Sequence, residues 1–223
     1  MKTLGILRLS GENTESFLQG QLTCDMRLLK KHGDYSLAAC CDHRGRVLAN
    51  FWVVRWEEDY LFILPKNMCD ITQTHLTKYA VFSKVSINNE DQLSIQKASL
   101  AGAVVNSSNN HSNEMTDEDL WRKQNIQDGL VLIQPKTSLL FTPQMINLDK
   151  LSGVSFTKGC YVGQEIIART QHLGTLKRHL HRMTLKTPLQ PGDPLKNDTG
   201  EEIGVIADAI GLEALAVIED RFM

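Results

Sequence analysis

No uninterrupted run of about 18 apolar residues occurs in the sequence, so it holds no candidate membrane-spanning helix. The opening residues, Met1 to Ile6, lack the apolar stretch and small-residue cleavage site of an export signal. Those absences set the expectation of a cytoplasmic protein with no membrane partner. The five cysteines, Cys24, Cys40, Cys41, Cys69 and Cys160, are odd in number and include no C-x-x-C pair, which argues against a disulfide framework and against a structural zinc site. Nor is there an excess of positive charge. The formal net charge is −2, and no strong direct nucleic-acid binding is expected from that balance. Phosphate loops of the G-x-G-x-x-G or G-x-x-x-x-G-K type are missing, and the histidines stand in no diagnostic spacing, so nucleotide and metal sites are disfavoured.

What is present is ordinary globular material: 223 residues, 42% hydrophobic and 22% charged, enough to bury roughly 70% of the unfolded surface. A short strand is predicted at Ile6 to Leu9. A helix then runs from a cap at Asn13 to about Lys31, closed by Gly33, with Leu18, Leu22, Met26 and Leu29 on its apolar face. Tyr35 to Cys41 and Arg46 to Arg55 read as a hairpin about the turn Asp42-His43-Arg44-Gly45, with Tyr60 to Leu64 as a third strand. Pro65 starts a helix to about Tyr79, and strands follow near Lys84 to Ile87 and Leu93 to Lys97. The polar stretch Asn106 to Asp119 reads as a linker. After it come a short helix, Leu120 to Gln127, ending at Gly129, an apolar strand, Leu130 to Ile133, and an irregular segment, Pro135 to Thr157. Beyond His179, turn residues punctuate short apolar runs, as in a small β-domain.

One segment, Lys158-Gly159-Cys160-Tyr161-Val162-Gly163-Gln164-Glu165, is built for a tight loop. Glycines flank Cys160 and Tyr161, and Gly163-Gln164-Glu165 opens a helix to about Thr170. A thiol just before a helix N-terminus with Lys158 nearby is in a setting that can lower its pKa and make it a nucleophile or metal ligand; a free cysteine is otherwise a small buried hydrophobe, the reading kept for the other four. The run Arg169, His172, Lys177, Arg178, His179, His181 and Arg182 is the most cationic part of the chain. It is either a solvated face or a receiver for an anionic ligand.

Lys158 to Glu165 resembles the K-G-C-Y-x-G-Q-E signature of the YgfZ family. Three further blocks in the same order resemble that family as well: Phe17 to Thr23, Cys41 to Arg46, and Lys78 to Val85. The resemblance extends over roughly Leu4 to Arg178. It implies an α+β fold like that of the glycine-cleavage T protein, with a discontinuous folate-binding core (1–55 and 120–176), an inserted α/β subdomain (56–119) and a small C-terminal β-barrel-like domain (177–223). By the same resemblance the cofactor is tetrahydrofolate or a derivative, polyglutamylated forms included. Trp121 stands where the family places a tryptophan that can stack on its rings. A second family tryptophan falls at Leu4, the pterin-binding glutamate of T proteins at Gln127, and their catalytic aspartate at Asn50, a neutral amide that cannot act as a base. Gly163, Gln164 and Arg169 complete the cofactor-binding candidates, and Cys160, Lys158, Tyr161 and Glu165 the functional loop.

The function so implied is a tetrahydrofolate-binding accessory protein that supports iron–sulfur enzymes, tRNA-thiolating enzymes among them, with Cys160 essential. Two alternatives stand beside it: a folate-dependent aminomethyl or one-carbon transferase, with Asp42 replacing the missing aspartate, and a non-catalytic protein-binding module whose contact face is the basic segment. Asn50 disfavours the transferase.

Overall fold

The structure is a computed structural model that describes residues 3–99, 102–106 and 118–223. Its first layer is a five-stranded antiparallel sheet in the order β2-β3-β4-β1-β5, formed by β1 (Leu4–Ser10), β2 (Tyr35–Cys41), β3 (Val47–Trp56), β4 (Asp59–Pro65) and β5 (Ser86–Asn89). Val47 to Val54 of β3 are all buried, because this strand is covered on both faces and so reads as a nearly continuous apolar run rather than an alternating one. Phe51 and Phe62 stack with ring centroids 4.1 Å apart, and the indole nitrogen of the fully buried Trp52 donates to the Ser99 carbonyl. That bond ties the two-stranded ribbon β6 (Ser94–Ser99) and β7 (Gly102–Asn106) to the sheet. β7 went unpredicted. Because β4 and β5 both pair with β1, a boundary between residues 55 and 56 runs through the middle of a sheet.

The first predicted helix is shorter than its periodicity suggests. α1 covers Thr14–Gln21, and a 3-10 turn, Met26–Leu28, follows after a break. In the break the chain joins the sheet. Leu22 bridges to Cys40, the Thr23 amide donates to the Ala39 carbonyl, and the Ala39 amide donates to the Thr23 hydroxyl. Leu18, Leu22, Met26 and Leu29 are all buried as predicted, but two different backbone forms bury them. The second helix starts later than predicted: Lys66–Met68 is a 3-10 turn after Pro65, and α2 is Cys69–Ala80. α3 is Glu118–Gln127, while 107–117 of the predicted linker lie outside the described residues.

Residues 178–219 form a four-stranded sheet, order β8-β11-β10-β9, from β8 (Arg178–Thr184), β9 (Pro194–Lys196), β10 (Glu202–Ile210) and β11 (Glu213–Glu219). The expectation of a barrel-like domain is corrected here: β8 and β9 are the two edges and do not pair, so the sheet stays open. Strand alternation splits its residues between two cores. Ala207, Leu215 and Val217 pack into the main core, whereas Ile206, Ala214, Ala216 and Ile218 join Leu185 and Leu195 in a second, smaller one.

Candidate functional site

Three of the sequence blocks that carry the resemblance converge around the Lys158–Glu165 loop. The Thr23 hydroxyl donates to the Gly153 carbonyl at 2.6 Å, the Ser155 amide to the Thr23 carbonyl, and the Val162 amide to the Gly20 carbonyl. Asp42 organises the hairpin turn, its Oδ1 accepting from the amides of Arg44 and Arg46, and Gly163 lies directly against that turn. Gly163 has φ 82°, and a Cβ there would meet the Asp42 carbonyl at 2.5 Å, so both the backbone conformation and the space demand glycine. From this anchor α4 (Gln164–His172) begins.

Lys158 is buried at 5% exposure and its ammonium donates to the Leu22 and Cys24 carbonyls at 2.8 and 2.6 Å, with the Tyr161 ring 5.1 Å away. Burial pulls its pKa down to about 8. The sequence pointed to Lys158 as a charge beside Cys160; in the structure it instead clamps the broken end of the first helix, and its charged neighbours are Cys24, Asp25 and Arg27. Tyr161 is buried, its hydroxyl unpartnered among the described residues and pushed up by burial. Cys160 is exposed, whereas Cys24, Cys40, Cys41 and Cys69 are buried, with thiols raised to about 11 at Cys24 and Cys69 and about 12 at Cys40. The loop therefore presents one thiol to solvent and holds four others inert.

A separate region holds the aromatic candidate. A cavity of about 560 Å³ opens between the first sheet, α3 and the C-terminal sheet, lined among others by Leu4, Lys66, Trp121, Asn125, Lys136 and Asp208. Leu4 and Trp121, two predicted cofactor-binding residues far apart in sequence, meet here. Gly163, Gln164 and Arg169 are not among its lining residues. Gln127 is exposed at the end of α3, where its carbonyl accepts from Arg182. Asn50 lies behind the wall: its Nδ2 donates to the Val131 carbonyl at 2.7 Å and its Oδ1 accepts the Ile133 amide at 2.8 Å. Residues 130–133, predicted as a strand, are extended and buried without strand partners; the Asn50 amide supplies the two hydrogen bonds that a neighbouring strand would have made.

The chemistry of the cavity wall is mixed. Arg122 pairs with the buried Asp208 at 3.1 Å, whose pKa is raised because desolvation outweighs the arginine, and Asn67 donates to Gln134. Asn125 is 2% exposed, and its Oδ1 has no donor among the described residues. Lys66 and Lys136 add cations at the opening. Sequence reading missed Asn125, Arg122, Asp208 and both lysines. Only Asn125 carried a signal, its place four residues after Trp121 on the same helix; the rest come from segments that only the fold brings together.

The basic run after the loop is largely neutralised in place. Arg169 pairs with Glu165 at 2.8 Å, Arg178 with Glu219, and His179 with Asp220 at 2.6 Å. Among the described residues no cluster of three or more His, Cys, Asp or Glu is arranged to hold a metal, and no helix is long and apolar enough to cross a membrane.

These features define a class first: an open-sheet α+β protein with the aminomethyltransferase architecture. The chain matches the glycine cleavage system aminomethyltransferase T from Bartonella henselae with a TM-score of 0.66, covering 97% of this chain and 76% of that one at 13% sequence identity, a likeness of fold alone. Within that class the curated relatives are specific. The chain is 31% identical to the tRNA-modifying protein YgfZ of Klebsiella pneumoniae over 92% of this chain and 78% of that protein. It is 30% identical to that of Photobacterium profundum over 88% and 73%, and 28% identical to that of Hamiltonella defensa over 94% and 77%. No family model matches the chain. It belongs to the YgfZ family, as its four sequence blocks implied.

Proposed function

We propose that the chain is a reduced-folate-binding protein that serves tRNA modification as an accessory to iron–sulfur enzymes, tRNA-thiolating enzymes among them, with tetrahydrofolate or a polyglutamylated derivative held in the Trp121 cavity and Cys160 as the functional thiol. The observation that carries the reading is the cavity itself. Its volume lies in the range of sites for cofactor-sized ligands, one side of it is the half-buried Trp121 on which a pterin or aminobenzoyl ring can stack, and Lys66 and Lys136 stand where an anionic glutamyl tail would leave. Trp121 and Leu4 would hold the rings, the lysines the tail. When bound, the folate would supply a one-carbon carrier; this chain's own residues bind and orient it.

Transfer chemistry is disfavoured on two grounds. Asn50 is sealed behind the wall with both ends of its amide engaged, and Asp42 is committed to its turn, so neither offers a carboxylate beside a bound folate. The names of the relatives, tRNA-modifying proteins, support the accessory role. Calorimetric titration with 5-formyltetrahydrofolate tests the folate assignment: saturable one-to-one binding is expected, weakened about tenfold or more in Trp121→Leu, where stacking is lost. No saturable heat from the unsubstituted protein would reject it.

A further inference from the structure

Eight buried side-chain atoms lack a hydrogen-bond partner among the described residues, and Asn125 Oδ1 is the one that belongs to a residue of the Trp121 cavity. The polar groups around it are engaged with one another. Arg122 donates to Asp208 and to the Ala209 carbonyl, Asp208 accepts the Ala209 amide, and Asn67 donates to Gln134. A buried amide oxygen without a donor costs stability, and one facing a cavity is the ordinary mark of an atom awaiting a ligand's N–H. Position strengthens the point. Asn125 follows Trp121 by four residues on α3 (Glu118–Gln127), so the two side chains share a helix face: one offers an aromatic plane, the other an acceptor.

We propose that Asn125 is the specificity-determining residue of this cavity, its Oδ1 accepting an N–H from the edge of the heterocycle that stacks on Trp121. This rests on the folate reading. A 2-amino-4-oxopteridine presents adjacent N–H donors on one edge, and a neutral, desolvated acceptor favours such an edge over one that carries only oxo groups, because two facing acceptors would both be left unpaired. The role that the resemblance assigned to Gln127 therefore passes to a residue two positions earlier, whose side chain is buried at the cavity while Gln127 is exposed.

The test pairs calorimetric titration of 5-formyltetrahydrofolate with thermal unfolding of the ligand-free protein for the parent, Asn125→Leu and Asn125→Asp. Leucine, near in shape and without an acceptor, should weaken binding about tenfold or more while leaving the ligand-free unfolding midpoint unchanged or higher, since no internal bond is lost. Aspartate, which keeps an oxygen in place, should bind within about threefold of the parent, a change smaller than one hydrogen bond's worth. Binding by Asn125→Leu within twofold of the parent overturns the proposal. So does a midpoint lowered by several degrees, which would make the oxygen an internal partner, or a loss in Asn125→Asp equal to that in Asn125→Leu. If the parent itself binds no folate, the folate reading falls and this proposal with it; a failure confined to the variants leaves that reading standing.

Discussion

The Lys158–Glu165 loop and the Trp121 cavity differ in how they are encoded. The loop is one contiguous segment in which nearly every residue is fixed by a local requirement: Lys158 clamps two carbonyls, Tyr161 fills a buried position, and Gly163 fits against the Asp42 turn where no Cβ can go. The cavity is assembled from short contributions of β1, the β4 end, α3, the segment after it and the C-terminal sheet. A dense motif thus marks a rigid mount for one exposed thiol, and the ligand-sized space lies elsewhere, in residues with no motif at all.

The comparison breaks most sharply at Gly163. Gly163→Ala imposes a disfavoured positive φ and a backbone overlap at once, and is expected to destabilise the protein by roughly 4 kcal/mol, read by urea unfolding; a loss under about 1 kcal/mol would mean the loop is not held against the hairpin as described. On the cavity side, Asn50→Asp should cost about 3 kcal/mol at pH 7, because a carboxylate cannot donate to the Val131 carbonyl and burial opposes its charge, as it does for Asp208. The sign can be checked. A protonated carboxyl introduced at this position would donate to Val131 and accept from Ile133 much as the amide does, so its folded pKa lies above the unfolded ~3.9. The folded chain then holds a proton that the unfolded chain has released, and stability relative to the parent falls as pH rises above about 4, by about 1.4 kcal/mol per unit, until the folded pKa is passed. A flat difference between about pH 4 and pH 7 would contradict the clamp.

How much of this was legible in the sequence follows from the same contrast. Local, repetitive signals carried well. The hairpin about Asp42, the helix after Gly163 and the buried set Leu18, Leu22, Met26 and Leu29 are all found. Helix continuity through Thr23 was not legible, because what ends the helix is a long-range pairing with Ala39 and Cys40 that outweighs the periodicity. The strand at Leu130 to Ile133 failed for a related reason: its apolar run is real and buried, but a side-chain amide 81 residues before Val131 takes the place of the partner strand. Lys158 shows the limit for sites. Adjacency to Cys160 suggested electrostatic service to the thiol, whereas the lysine's length and burial direct it to the backbone of Leu22 and Cys24.

Whether the two regions do separate work is tested most directly by Cys160→Ala. Because Cys160 is exposed and borders no part of the cavity, the variant is expected to unfold like the parent and to bind 5-formyltetrahydrofolate with unchanged affinity, yet fail to restore thiolated tRNA and iron–sulfur enzyme activity in a strain lacking the family member. Full rescue by Cys160→Ala, or a loss of folate affinity in it, would contradict that division of labour.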